Sequence, residues 1–375
     1  MSPLHDEAWF AARAVAGVRA LKAYDPGHDV VAMRERSPWL VELGANENPY
    51  GPSPAARAAV LDALPLMHRY PDPRGARLKH ALADLHGIEP ARILLGNGSH
   101  ELLMQFAQAF AGAGDEVVYP LYGFAVFALA TQAAGAQARV APALPPDAAM
   151  PFGHDVDALL AAITPATRLL YIANPNNPTG TWLDASTLRR FVDAVPPGVV
   201  VVVDEAYAEM ADAPGYASAM PLARERGNLV VTRTFSKAYA LAGLRCGYAV
   251  ASAGLVAVME RLRESFNVNA LALAACEAAL ADTAHLQWAR ERNAEQRAAL
   301  ADALSRRGLR VLPSQTNFLL VELGARTAAV EAALLRRDVI LRPMAGYGLP
   351  AWTRITIGSA DENRRLLAAL DEARA

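Results

Sequence analysis

Residues 199–207 read Val-Val-Val-Val-Val-Asp-Glu-Ala-Tyr, a run of five valines that ends in a polar cluster. Five consecutive β-branched residues have the length and composition of a strand that is buried on both faces. Strands of this kind occur in parallel sheets that are covered by helices. The run therefore predicts an α/β protein in which Asp204 and Tyr207 lie where a central strand ends.

Three other apolar runs end in the same way, each in a polar or glycine-rich turn. They cover residues 92–95, 168–173 and 229–232, and segments of helical periodicity lie between them. This alternation is typical of a mostly parallel sheet between helices. Ligands of such sheets bind beyond the carboxyl ends of the strands, so the four polar clusters predict one site.

The chain has 375 residues, more than one compact core usually holds, which predicts a large domain and a smaller one. After about residue 262 the pattern changes to long helices with short strands near residues 317–321 and 354–357. We expect three parts: an N-terminal arm belonging to the small domain (1–45), a large ligand-binding domain (46–261) and a small α+β domain (262–375).

Two further segments are predicted to be helices. Residues 7–21 carry apolar side chains at roughly helical spacing, and this helix is expected to pack on the small domain or on another subunit. Residues 121–138 form the longest stretch without charge, but glycine, threonine and glutamine interrupt it and alanine outnumbers leucine. We expect a packed helix there and no membrane span.

The bulk composition favours a small ligand. The net charge of −2 gives no broad basic field for nucleic acid or an anionic membrane. A DNA-binding regulator is disfavoured because no extra N-terminal domain and no basic recognition helix are seen. Two cysteines make no disulfide framework, no Cys/His cluster has metal-ligand spacing, and the N-terminus lacks a signal-peptide pattern. We expect a cytoplasmic protein without a bound metal.

The end of the valine strand suggests cofactor chemistry. A buried carboxylate such as Asp204 would keep a pyridine nitrogen protonated, so that the ring can draw electrons from a carbanion on an amino-acid Cα. Tyr207 would then bind a hydroxyl group of that ring. The alternative interpretation is a strand end with an ordinary salt bridge.

The segment Thr234-Phe235-Ser236-Lys237 follows the next predicted strand and is followed by Gly243-Leu244-Arg245. A lysine beside an aldehyde cofactor can bind it covalently, and its amine can later carry a proton. Arg245 and the hydroxyls of Thr234 and Ser236 suit a phosphate group. A Ser-Lys pair alone is more often a solvated lysine, but the nearby Gly-Leu-Arg makes the pattern more specific.

Two turns and one aromatic residue complete the candidate site. Gly96-Asn97-Gly98-Ser99-His100 joins a strand to a helix, where free amides attract phosphate; the alternative is a plain helix cap at Ser99. The turn Asn174 to Gly180 can hold the Asn177 amide at a fixed angle, or be a simple turn. Tyr122 can stack on a flat ring or belong to the core.

Together these motifs resemble the fold-type I pyridoxal-5'-phosphate (PLP) enzymes, the class I/II aminotransferases, and most closely their histidinol-phosphate aminotransferase branch. The likeness spans nearly the whole chain. It is carried by Asn46-Glu47-Asn48-Pro49, Gly51-Pro52-Ser53-Pro54, Arg69-Tyr70-Pro71-Asp72, Asn174 to Gly180, Asp204 to Tyr207, Ser236-Lys237 with Gly243-Leu244-Arg245, and Arg342-Pro343 through Tyr347-Gly348 to Arg354-Ile355-Thr356-Ile357-Gly358.

The resemblance implies a large domain with a mostly parallel seven-stranded sheet and a homodimer with shared active sites. It implies Lys237 as the lysine that binds PLP, Asp204 at the pyridine nitrogen, and Asn177 and Tyr207 at the 3-hydroxyl. The other implied positions are Tyr122 on the ring; Ser99, the His100 backbone, Thr234, Ser236, Arg245 and the neighbouring subunit's copy of Tyr70 at the phosphate; and Arg354, Arg342, Tyr24 and Asn46 at the substrate.

The implied activity is transamination between L-glutamate/2-oxoglutarate and imidazole-acetol phosphate/L-histidinol phosphate. Two rival activities on the same scaffold are aromatic amino-acid transamination and threonine-phosphate decarboxylation, because few side chains of the acceptor pocket distinguish them. A PLP-binding regulator without turnover is disfavoured while Lys237 and Asp204 are both present. The sequence departs from the family pattern at His100 and at Pro71-Asp72-Pro73-Arg74.

Overall fold

The structure is a computed structural model that describes residues 6–21 and 29–374. The strands are β1 Val41–Glu42, β2 Ile93–Gly96, β3 Glu116–Pro120, β4 Gln137–Ala141, β5 Thr167–Ala173, β6 Val200–Asp204, β7 Leu229–Thr234, β8 Gly247–Val250, β9 Arg310–Val311, β10 Phe318–Glu322, β11 Val339–Ile340, β12 Arg342–Pro343 and β13 Trp352–Thr356. The α-helices are α1 Glu7–Ala11, α2 Ala16–Arg19, α3 Val30–Arg36, α4 Pro54–Ala63, α5 Ala76–His86, α6 Ser99–Phe110, α7 Ala125–Ala133, α8 Val156–Ala161, α9 Ala185–Ala194, α10 Met220–Glu225, α11 Ala253–Met259, α12 Ala270–Ala281, α13 Thr283–Arg306, α14 Thr327–Leu335 and α15 Ala360–Arg374.

The central element is a seven-stranded sheet with the strand order β2-β8-β7-β6-β5-β3-β4. Its strands pair in parallel except for β8, which is antiparallel to both β2 and β7. Alternate valines of β6 point to opposite faces of the sheet. Val201 and Val203 belong to the buried cluster on one face, and Val202 belongs to the cluster on the other face. The predicted α/β class and the mostly parallel seven-stranded sheet are thus confirmed.

A second unit is built around the antiparallel sheet β12-β13-β10-β9. Its core combines the inner faces of β10 and β13 with the apolar sides of α13, α14 and α15. The short strands predicted near residues 317–321 and 354–357 are β10 and β13. β1 pairs in parallel with β11, which connects residues 41–42 to this unit. The domain boundaries at residues 45 and 261 remain a prediction.

The prediction of one helix over residues 7–21 was wrong. Two short helices, α1 and α2, are separated by a turn, because Val15 is extended and the Arg19 guanidinium donates hydrogen bonds to carbonyls at the end of α1. α2 packs on α7 beside the large sheet, where packing on the small domain or on another subunit was expected. Gly17 is required there, since a Cβ would lie 2.2 Å from the Gln132 carbonyl oxygen.

The apolar stretch 121–138 is also more divided than expected. Its helix is α7, and its last two residues already belong to β4, which pairs with β3 at the sheet edge. Within residues 6–21 and 29–374, no helix is both long and apolar enough to cross a membrane.

Candidate functional site

The carboxyl ends of β5, β6 and β7 meet at one edge of the large sheet. The Asn174 amide donates to the Asp204 carbonyl oxygen (2.9 Å), and the Glu205 amide donates to the Thr232 carbonyl oxygen (2.9 Å). These bonds extend the parallel ladder beyond its regular part. The polar clusters that follow the three strands are therefore neighbours, as the strand pattern predicts.

Asp204 is buried at the end of β6 without a salt-bridge partner among the described residues. Thr232, opposite it on β7, donates its hydroxyl to Asp204 Oδ1 at 2.8 Å. Burial raises the pKa of the Asp204 carboxyl to about 7, against the smaller lowering effect of that hydrogen bond. A buried acid of this kind can pair with a cationic or protonated ligand atom.

The salt bridge considered as an alternative for this strand end belongs to the next residue. Glu205 is fully buried and accepts two hydrogen bonds from the Arg233 guanidinium at 2.9 and 2.7 Å. Glu209 binds the same guanidinium at 2.7 Å. This network was not predicted from the sequence, although strand alternation turns Glu205 and Arg233 to the face opposite Asp204 and Thr232.

Lys237 lies after β7 with its ammonium directed at the backbone that follows β1. Nζ donates to the Asn46 carbonyl oxygen at 2.9 Å and to the Ala45 carbonyl oxygen at 3.3 Å. Desolvation lowers the pKa of Lys237 to about 8, and the positive charge of Arg354 acts in the same direction. The neutral amine is thus accessible near physiological pH.

Asn46 connects Lys237 to Tyr207. Its backbone is left-handed, with φ 56°, a conformation that asparagine tolerates better than most residues. The Asn46 side chain donates to the Tyr207 hydroxyl at 2.9 Å, and the Asn46 amide donates to Thr356 Oγ1 at 3.0 Å. Asn317 also donates to the Asn46 carbonyl oxygen, at 3.0 Å. Asn46 is therefore a hydrogen-bonding hub of the site.

Arg354 and Asn177 are in direct contact. Arg354 lies on β13, is buried, and donates to Asn177 Oδ1 and to the Gly44 carbonyl oxygen, both at 2.7 Å. Its Nε is buried and has no partner among the described residues. Arg342 on β12 is directly opposite Arg354 in the sheet register. Two guanidinium groups on neighbouring strands favour an anionic ligand.

A polar cup forms where the loop 96–98 meets Arg245. Gly98 precedes α6 with φ 82° and ψ 161°, and Ser99 is the first helical residue. The interpretation of Ser99 as the helix cap was wrong, because the cap position is Gly98 and no side chain caps the helix. Arg245, with φ 56°, donates to Ser236 Oγ at 3.2 Å, and the Ser236 amide donates to Thr234 Oγ1 at 3.1 Å.

The other predicted site residues are more scattered. His100 has an exposed side chain at the start of α6. Partial desolvation and the charge of Arg245 lower its pKa. Tyr122 contacts the Phe152 ring edge-on, with centroids 5.3 Å apart, and its carbonyl oxygen accepts a hydrogen bond from the Asn176 side-chain amide at 2.8 Å.

Two predicted tyrosines remain, Tyr70 and Tyr24. Tyr70 is on the protein surface, 82% exposed. Tyr24 lies outside the described residues. Among the described residues no His/Cys/Asp/Glu group could hold a metal ion.

Comparisons with known proteins bear on the family of the chain. Residues 39–370 match the family model described as aminotransferase class I and II. The chain is 46% identical over 363 residues to a histidinol-phosphate aminotransferase of Ralstonia nicotianae, covering 95% of this chain and 96% of that protein. It is 45% identical over 360 residues to one of Methylococcus capsulatus, covering 96% and 97%.

A solved structure resembles the chain over the same extent. This is the histidinol-phosphate aminotransferase of Sinorhizobium meliloti in complex with pyridoxal-5'-phosphate, with a TM-score of 0.86, 31% identity, and coverage of 96% of this chain and 97% of that one. Sequence similarity, fold and the arrangement of polar residues point the same way. The chain belongs to the class I and II aminotransferase family.

Proposed function

We propose that this protein is a PLP-dependent aminotransferase that transfers an amino group between L-glutamate/2-oxoglutarate and L-histidinol phosphate/imidazole-acetol phosphate, in histidine biosynthesis. The observation that carries the proposal is the hydrogen-bonded set around Asn46, which brings the Lys237 amine and the Tyr207 hydroxyl to one place. The names of the relatives in Ralstonia and Methylococcus support histidinol phosphate as the substrate.

The residues present fit PLP on two counts. Asp204 is an acid whose pKa is raised by desolvation on burial, and a protonated pyridine nitrogen beside it would favour the charged carboxylate. Gly98 leaves room for a phosphate-binding arrangement, because a Cβ at this position would lie 2.5 Å from the Arg245 guanidinium. The backbone can thus approach Arg245 closely enough for both to bind one phosphate group.

Bound PLP supplies an aldehyde that takes up the amino group and a ring that withdraws electrons from the substrate Cα. Lys237 would hold the cofactor, and its free amine would move the proton of the substrate Cα. Asp204 would keep the ring nitrogen protonated, while Asn177 and Tyr207 would bind the 3-hydroxyl and Tyr122 would lie against the ring. The phosphate would be held by Ser99, the His100 backbone, Thr234, Ser236 and Arg245.

Substrate anions would be bound by the arginines of the small sheet. Arg354 has an Nε without a partner in residues 6–21 and 29–374, and its guanidinium can donate two hydrogen bonds to a carboxylate such as that of glutamate. Arg342, with Tyr24, would bind the distal phosphate of histidinol phosphate. Asn46 would orient the substrate from the side of Lys237.

We further propose a homodimer with shared active sites, in the cytoplasm. Leu61, Leu66 and Met67 are each more than 60% exposed and precede Tyr70 closely in sequence. An apolar surface of this kind is typical of a subunit interface. Tyr70 would reach the cofactor phosphate of the partner subunit across it. Both cysteines are buried free thiols, which suits a reducing compartment.

Replacing Gly98 with alanine is expected to weaken PLP binding by at least about tenfold, the effect of losing one charged hydrogen-bonding group. The new Cβ would displace Arg245, and the backbone conformation is one that only glycine adopts readily. The dissociation constant would be measured by absorbance titration of the apoenzyme. Gly114→Ala is the matched control: φ is 91° there, but a Cβ meets nothing within 4 Å. Equal affinities of the two variants would contradict the phosphate role of this cup.

The proposed substrate is tested by single-turnover absorbance. The PLP-loaded enzyme is mixed separately with histidinol phosphate, glutamate, phenylalanine and threonine phosphate, and conversion of the cofactor to pyridoxamine phosphate is followed. We expect the fastest conversion with histidinol phosphate, and conversion with glutamate. Preference for phenylalanine would indicate an aromatic aminotransferase. Release of CO₂ from threonine phosphate would indicate the decarboxylase, and no conversion with any amine would overturn the proposed activity.

A further inference from the structure

Tyr70 and Phe266 lie face to face on the protein surface. Their ring centroids are 4.5 Å apart and their planes differ by 21°. Tyr70 is largely exposed, whereas Phe266 is partly buried. An aromatic side chain that extends so far into solvent loses many of its rotamers when a flat neighbour stacks on it. The contact therefore fixes the direction of the Tyr70 phenol.

The backbone of Phe266 is strained. Its φ is 61°, in the left-handed region that bulky residues rarely adopt. Such a conformation persists only where the surroundings hold it, and it is concentrated at functional positions. The side chain of the next residue, Asn267, is held by two hydrogen bonds. Its Nδ2 donates to Glu101 Oε2 at 2.9 Å, and its Oδ1 accepts from the Arg263 guanidinium at 2.9 Å.

The same contacts reach the loop of Tyr70 and the cup near Gly98. Arg263 donates to the Pro73 carbonyl oxygen at 2.7 Å, three residues beyond Tyr70. Glu101, in the first turn of α6, also accepts the Asn97 backbone amide at 2.5 Å. Residues 263–267 thus connect the phosphate cup of a subunit to the tyrosine that the same subunit exposes.

We propose that Phe266 is the positioning residue for Tyr70, holding its phenol in the orientation in which it enters the partner's site. The proposal rests on the shared-site dimer proposed above. It accounts for a phenylalanine in a backbone conformation suited to glycine, since the residue with φ 61° carries the ring that stacks on Tyr70. Phe266 would act through Tyr70.

The first test measures PLP dissociation constants of apoenzyme variants together with their Tm. Phe266→Leu keeps an apolar side chain but removes the flat ring, and we expect about three- to tenfold weaker binding, the range that one aromatic pair is worth. Phe266→Tyr should restore the affinity. Phe110→Leu is the matched control, because Phe110, the last residue of α6, is another partly buried phenylalanine and loses its ring in the same way. Weakened binding by Phe110→Leu, or wild-type binding by Phe266→Leu, overturns the proposal.

Hybrid dimers separate positioning from a local structural effect. When Phe266→Leu and Lys237→Ala are on different subunits, the intact Lys237 site receives Tyr70 from a subunit with a normal Phe266, and PLP attachment there should have wild-type affinity. When both changes are on one subunit and the other is wild-type, the intact Lys237 site receives the badly held Tyr70, and affinity should fall. The reverse pattern overturns the proposal. Wild-type affinity of Tyr70→Phe would instead show that the Tyr70 hydroxyl does not bind the partner's phosphate. The shared phosphate site and the role of Phe266 would then both be wrong, whereas the proposed transamination is tested separately.

Discussion

Replacing Lys237 with alanine is expected to lower transamination of histidinol phosphate by at least about 10⁴-fold, while the subunits remain associated. Proton transfer by one positioned group is worth about 10²–10⁴-fold, and the variant also loses the amine that attaches the cofactor. Steady-state rates and sedimentation of the same preparation measure the two effects. Retained turnover would remove the central claim about the site.

The chain provides an internal control for this assignment, because Lys22, Lys79 and Lys237 are its three lysines. Borohydride reduction of the loaded enzyme, followed by peptide mass analysis, should place the cofactor on Lys237 alone. Lys79 is engaged with Glu260 at 2.7 Å and should stay unmodified. Modification of Lys22 or Lys79 in place of Lys237 would contradict the proposal.

Replacing Asp204 with asparagine should stabilise the apoenzyme and yet reduce its activity by about 10²–10³-fold or more, a range typical of one electrostatic group in an active site. The pKa of Asp204 is raised from 3.8 to about 7, so the folded protein disfavours the charged carboxylate. Stability from this group is fully present below pH 3.8 and is lost as the pH rises through 7. The loss at pH 8 is roughly 2–4 kcal/mol, and neutral asparagine avoids it.

Thermal unfolding of the apoenzyme at pH 5 and pH 8 checks the sign. The gain in Tm from Asp204→Asn should be larger at pH 8 than at pH 5. Asp184→Asn is the opposite control, because hydrogen bonds from Ser186 and Thr187 lower the pKa of Asp184 to about 2. Loss of that charge should lower the Tm at pH 8. A destabilised Asp204→Asn apoenzyme would show that the buried carboxylate carries no such penalty.

The sequence was sufficient to predict the elements whose signal is local. The valine run of β6 and the three similar runs predict their strands because burial on both faces demands apolar, β-branched residues throughout. Their polar ends predict the neighbourhood of Asp204 and Asn177, because parallel strands bring these ends together. Lys237 was singled out because Gly243-Leu244-Arg245 follows it at short spacing, and its role as the lysine that binds PLP stays a prediction.

Features that depend on tertiary contacts could not be predicted in this way. Residues 7–21 have helical spacing, yet Arg19 and the close approach of Gly17 to α7 favour two short helices. The Arg233–Glu205 pair joins the ends of two consecutive strands across 28 residues of chain, and the contacts of Asn46 with Thr356 and Tyr207 join segments at least 161 residues apart. The stacking of Phe266 on Tyr70 likewise joins segments nearly 200 residues apart and leaves no local pattern.

The charge of Arg354 has a consequence for the timing of proton transfer. In the structure desolvation lowers the pKa of Lys237 to about 8, and the positive charge of Arg354 adds to this lowering, so part of the amine is neutral near physiological pH. A carboxylate that pairs with Arg354 cancels that field and makes the amine a stronger base. On the roles proposed for these two residues, the basicity of Lys237 would therefore rise when the carboxylate of an amino donor pairs with Arg354.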